Sequence, residues 1–88
     1  MAASLSRAEH TILEAICDSD GEDPRAARLT DLVRRRAGQL TGPEYRRGVA
    51  GLADRGLLEA TVVTKSNGDI GRVVIRRITL LGRRVIGR

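Results

Sequence analysis

Apolar residues first recur at helical spacing: Ala8, Ile12, Leu13, Ile16 and Cys17 fall on one side of a 3.6-residue repeat. Ser6-Arg7-Ala8-Glu9 in front of them has the form of a capping box, and Leu5 stands where a hydrophobic staple would. Together these predict an amphipathic helix over 6–18. A polar, acidic loop follows over 18–24, and 26–29 reads as a short strand. Thr30 then reads as an N-cap with Asp31 in the first turn. Leu32, Val33 and the stem of Arg36 are expected to face inward, and Gly38 is placed to end the helix, giving 30–37.

Leu40 is expected to plug the space before a third helix. Thr41-Gly42-Pro43-Glu44 forms a second capping box, with proline tolerated in the first turn. Over 42–55, Tyr45, Val49 and Leu52 share one side with Gly48 beside them. Pro43, Arg47, Ala50 and Asp54 take the opposite side, with Arg46 on its flank. Each helical glycine costs about 1 kcal/mol relative to alanine. Gly48 suits close packing on another helix, and Gly51 suits close approach of a partner surface.

Beyond Gly56 the period becomes two. Residues 57–65 and 70–78 read as the arms of a β-hairpin turning at Asn67-Gly68. A two-residue turn there sets Leu58, Ala60 and Val62 opposite Arg77, Ile75 and Val73. The same register sets Glu59 opposite Arg76, and Leu57 opposite Ile78. Thr79 can cap a last helix over 80–87, with Leu81, Val85 and Ile86 as its apolar members. It is too short to hold alone, so it must pack on the domain or on a second copy. The pattern therefore describes one α+β domain: three helices, a hairpin and a short C-terminal helix.

Charge changes this picture from fold to partner. The 88 residues carry a net +5. Residues 1–33 hold three arginines against seven carboxylates, a balance of −4, whereas residues 34–88 hold thirteen basic residues against four acidic ones, +9. The basic charge thus belongs to the third helix and the hairpin, which points to a polyanion. All but one of the basic residues are arginine, the residue suited to bidentate contacts with phosphate and guanine. Tyr45 is the single aromatic, which argues against single-strand binding by base stacking. Its helical phase puts it in the core.

The chemistry of catalysis is missing. The chain shows no P-loop and no Ser-His-Asp or Cys-His constellation, so it does not read as an enzyme. His10 and Cys17 are two turns apart, too far for one zinc ion. Asp18, Asp20, Glu22 and Asp23 have the wrong order for a calcium loop. No cofactor or metal is expected. One cysteine allows no internal disulfide and fits a reducing cytoplasm. No apolar run approaches a membrane span, and the N-terminus does not read as a signal peptide.

The segments Leu29-Thr30-Asp31-Leu32-Val33, Leu40-Thr41 and Val49-Ala50-Gly51-Leu52-Ala53-Asp54-Arg55-Gly56-Leu57-Leu58-Glu59 together resemble a winged helix-turn-helix transcriptional regulator. The close, Arg76-Arg77-Ile78-Thr79-Leu80-Leu81-Gly82-Arg83, is similar to the end of the wing in the MarR, PadR and ArsR-like groups. The resemblance spans about residues 6–88, although the hairpin lacks the aromatic residues common in PadR-like wings. It implies a double-stranded-DNA-binding protein, nucleoid-associated in the cytoplasm, with 42–55 as recognition helix and 57–78 as wing; a homodimer is expected because one module offers few base contacts and the short last helix wants a partner. On that basis Arg46 and Arg47 are the candidate base readers, flanked by Thr41, Pro43 and Ala50. Lys65, Asn67 and Arg72 stand ready for phosphates or a minor groove, and Arg34 and Arg35 for the backbone. Two alternatives remain open: a winged-helix protein–protein adaptor, and the DNA-binding module of a replication, partition or DNA-transfer protein.

Overall fold

The computed structural model describes residues 5–19 and 26–87. The element order is α1 (Arg7–Ser19), α2 (Ala26–Arg36), α3 (Gly42–Asp54), β1 (Leu58–Thr64), β2 (Ile70–Ile78) and α4 (Leu80–Val85), an α+β arrangement with a two-stranded antiparallel sheet. The acidic residues 20–24, and with them the calcium-loop question, lie outside the described residues.

Both capping boxes form. The Ser6 N–H donates to Glu9 Oε1 at 2.9 Å and the Glu9 N–H to the Ser6 hydroxyl at 3.1 Å. At α3 the Thr41 N–H donates to Glu44 Oε1 at 2.8 Å, and the Glu44 N–H to the Thr41 hydroxyl at 3.2 Å. α3 ends in a Schellman motif: Leu57 N–H donates to Leu52 C=O and Gly56 N–H to Ala53 C=O, with Gly56 at φ +74°. The motif turns the chain directly from helix into strand, with Leu52 and Leu57 both buried at the junction.

The core joins all the layers: Ile12, Leu13 and Ile16 from α1, Leu29, Val33 and Ala37 from α2, Tyr45, Val49 and Leu52 from α3, and Val73, Ile75 and Ile78 from β2. Leu40 is buried between α2 and α3, as its position predicts. A Cβ at Gly48 would come within 2.6 Å of Ile12 Cδ1, so the missing side chain is what lets α3 approach α1. Gly51 is also tight against α1. A Cβ there would lie 2.9 Å from Glu9 Oε2, the same carboxylate that pairs with Arg55.

Several expectations are corrected, first in α2. Residues 26–29 are the first turn of α2, not a strand. Ala-Ala-Arg-Leu is a run of strong helix formers, and Leu29 extends the apolar stripe through Val33 to Ala37. Thr30 is therefore inside the helix rather than its cap. Its hydroxyl instead accepts the Ile75 N–H at 2.9 Å, tying α2 to β2. On the same helix Arg36 is exposed and Leu32 only half-buried. Gly38 takes no left-handed conformation, and its N–H donates to Arg35 C=O at 3.2 Å in an ordinary turn.

The hairpin is corrected as well. Ala60 pairs with Ile75 and Val62 with Val73, as expected, but Glu59 pairs with Arg77 and Leu58 with Ile78. A register shift beside Glu59 moves the arginine, and the Glu59–Arg77 ion pair replaces the expected Glu59–Arg76 one. Arg76 instead donates to the Thr61 hydroxyl. The tip is a three-residue loop, Ser66-Asn67-Gly68, and not a two-residue turn. Gly68 N–H donates to Lys65 C=O at 3.0 Å, and Lys65 N–H to Asp69 C=O at 2.6 Å. Asn67 has negative φ and only Gly68 is left-handed (φ +90°), which excludes the mirror-image turn and fits a type I turn closed by glycine. The second register shift, between Val63 and Thr64, follows from the longer loop.

Thr79 caps α4, accepting the Gly82 N–H at 3.0 Å while its own hydroxyl donates to Gly56 C=O at 2.8 Å. Val85 and Ile86 pack against the core, but Leu81 is half exposed and Leu80 is 77% exposed. Among the described residues, no helix is long and apolar enough to cross a membrane.

Candidate nucleic-acid interface

The start of α3 and the tip of the hairpin meet around a cleft of about 160 Å³ lined by Pro43, Arg46, Arg47, Lys65, Asp69 and Ile70. Each part of it follows from local sequence. The Thr41–Glu44 box and Pro43 fix where α3 begins, and Tyr45, Val49 and Leu52 hold its inner side in the core. Arg46 and Arg47 are then left on the outer side one turn in. Gly42 leaves room for the Arg46 guanidinium to fold back across that first turn, with Nη1 only 3.1 Å from where a Cβ would stand. Across the cleft, the stem of Lys65 lies over Gly71, whose Cβ would sit 3.1 Å from Lys65 Cγ. Sequence reasoning singled out neither glycine.

The cations sort into two groups. Arg55 is paired with Glu9, Arg77 with Glu59, and Arg76 with the Thr61 hydroxyl. The Arg34 guanidinium lies 5.3 Å from the centroid of the Tyr45 ring. By contrast, the side chains of Arg35, Arg46, Arg47, Lys65 and Arg72 have no hydrogen bond or ion pair among the described residues. Three of these five converge on the cleft.

The remaining candidates are placed differently. The Thr41 hydroxyl and N–H are both used in the cap, so Thr41 positions the helix. The Thr41 backbone N–H first, then the Thr41 hydroxyl beside the carboxyl, hold the Glu44 carboxyl below the usual range, with Arg47 and Arg7 adding to them. Glu44 is thus a capping residue. Ala50 lines a separate, shallower groove with Gly51, Ala53, Asp54 and Val62. Asn67 sits at the tip with its amide donating to Asp69 Oδ2 at 3.2 Å and its carbonyl accepting the Asp69 N–H at 3.0 Å. Arg72 is exposed on β2 opposite Val63, and Arg35 is exposed on the last turn of α2. Neither lines the cleft, and nor does Arg34.

Tyr45 is 4% exposed and its hydroxyl is directed at Thr30 C=O, 3.5 Å away, so its ring has no face to offer a base. Burial pushes its pKa up to about 12, with Arg34 opposing that shift and Asp31 adding to it. Asp69 and Ile70 are the cleft residues absent from the sequence-based candidates: a carboxylate after Asn-Gly reads as an ordinary turn residue, and Ile70 as the start of a strand. Among the described residues, no group of three or more His, Cys, Asp or Glu side chains is placed to hold a metal ion. No protein-family model, curated protein or solved structure matches this chain.

Proposed function

We propose that this chain is a winged helix-turn-helix module that binds double-stranded DNA, with α3 in the major groove and the β1–β2 hairpin as its wing, and that it serves as a transcriptional regulator. The observation that carries the reading is the convergence of Arg46, Arg47 and Lys65 on one cleft between helix and hairpin, none of them with a hydrogen bond or ion pair among the described residues. Arginines that fold on their own chain cost little and bind nothing. Cations left unpaired and aimed together are a device for a polyanion. Arg46 and Arg47 are the base readers, Lys65 and Arg72 contact phosphates beside the wing, and Arg35 contacts the backbone from α2. A homodimer extends the few base contacts one copy offers, and the exposed Leu80 and Leu81 of α4 supply an apolar contact for it.

Leu80 and Leu81 also favour a second reading, a winged-helix adaptor that docks another protein. Selection of duplexes from a randomised pool separates the two. A DNA-binding regulator enriches a defined sequence and binds it at least about a thousandfold tighter than random duplex. An adaptor enriches nothing.

A further inference from the structure

A carboxylate, Asp69, stands among the cations of the cleft. Asp69 lines the same cavity as Arg46, Arg47 and Lys65, yet forms no ion pair with any of them. Its one side-chain partner among the described residues is the amide of Asn67, which binds Oδ2 and leaves Oδ1 without a protein donor. Its backbone is pinned as well, the N–H by Asn67 Oδ1 and the C=O by the Lys65 N–H. The carboxylate is therefore oriented by the tip loop, exposed, and short of hydrogen-bond donors. For a surface that only collected phosphates, such a group would be a pure cost, because it repels every phosphate that enters.

We propose that Asp69 is a specificity-determining residue of this interface. It accepts a hydrogen bond from the exocyclic amino group of a base edge and costs affinity on any duplex that brings no such donor within its reach. The proposal rests on the double-stranded-DNA reading above. Arginine, lysine and phosphate supply affinity without regard to sequence. A carboxylate rewards only a donor, and a base edge offers one where cytosine or adenine presents its amino group in the major groove, or guanine in the minor groove. Attraction to the right partner and repulsion of the wrong one then come from a single side chain.

The test compares Asp69→Asn with the unmodified chain on two duplexes, one selected from a randomised pool and one of random sequence. Asparagine keeps the shape and can still accept from Asn67, so the tip loop is retained; an unchanged thermal midpoint verifies this. Asp54→Asn, which removes an exposed carboxylate lining the neighbouring groove, is the control. The expected result is tighter binding of Asp69→Asn to random duplex with no gain on the selected one, so that the ratio between them falls about tenfold, while Asp54→Asn leaves the ratio unchanged. An equal gain on both duplexes, no change on either, or the same loss of ratio in Asp54→Asn overturns the assignment of Asp69 and leaves DNA binding standing. Failure of the unmodified chain to bind either duplex overturns both.

Discussion

Tyr45 is the single aromatic residue of the chain, so its titration can be read without interference. Raising the pH is the perturbation, and absorbance of the phenolate is the assay. An exposed tyrosine titrates near 10. In the folded protein the ring is 4% exposed, and ionisation would place a phenolate in the core beside Val49 and Leu52, which pushes the pKa up to about 12. Arg34 beside the ring softens the rise but does not cancel it. A folded pKa above the unfolded one means that the stabilisation is fully present below pH about 10 and is lost as the pH rises from there through about 12. The native protein should therefore hold its tyrosine protonated at pH 10.5, where the urea-unfolded chain is already largely ionised. Helical circular dichroism should fall in step with phenolate formation, since ionisation and unfolding are linked. A native titration centred near 10 with the helical signal intact would refute the placement of Tyr45. It would also return the residue to the surface, where it could stack on a base.

Glu9 caps α1 through Oε1 and pairs with Arg55 through Oε2. Burial acts to raise its pKa, but the hydrogen bonds from Arg55 and the Ser6 N–H outweigh it and leave the pKa lowered. Glu9→Gln keeps the cap and loses the charge. It should cost about 0.5–1 kcal/mol in urea unfolding at pH 7, and the deficit should vanish as the pH falls through the lowered pKa; a deficit persisting in acid would show that the loss is one of packing. Gly82→Ala would drive a Cβ into the Leu57 carbonyl oxygen, with Ile78 Cγ1 only 2.9 Å away. α4 must then undock, at a cost of about 1–3 kcal/mol; an unchanged melting midpoint would mean that α4 is not seated there. Arg46→Ala and Arg47→Ala should each weaken binding to a selected duplex by about 1–3 kcal/mol and relax one base position. Equal losses on random duplex would show that they touch only phosphate.

Much of this architecture is legible in the chain, because its punctuation is local. Two Ser/Thr-x-x-Glu boxes and Gly56 set three helix boundaries through contacts within a few residues. The apolar phase of α3 separates Tyr45 from Arg46 without any tertiary knowledge. Local signals mislead where a distant partner decides. Thr30 reads as a cap because its hydroxyl is suited to one, yet it serves the N–H of Ile75, 45 residues away. Asn67-Gly68 fits a two-residue turn, but the tip loop takes three residues; the register shift beside the tip restores the expected pairing, and the second, beside Glu59, moves it again. The cations of the site were legible one by one. Which of them are spent on Glu9, Glu59, Thr61 or Tyr45, and which remain unpaired, depends on packing that no spacing rule encodes.

The most direct measurement of the central claim is the salt dependence of binding to random duplex DNA. On random duplex, where no cognate base engages Arg46 and Arg47, these two rest on phosphate as Arg35, Lys65 and Arg72 do; with each of the five neutralising one phosphate, the slope of log K against log salt is about −4.5, a loss of about 500-fold between about 50 and 200 mM. Substituting Arg46, Arg47 and Lys65 together by glutamine should reduce that slope by about 2.7. No measurable affinity for duplex DNA at the lower salt would contradict the account, and so would a slope that the triple substitution leaves unchanged.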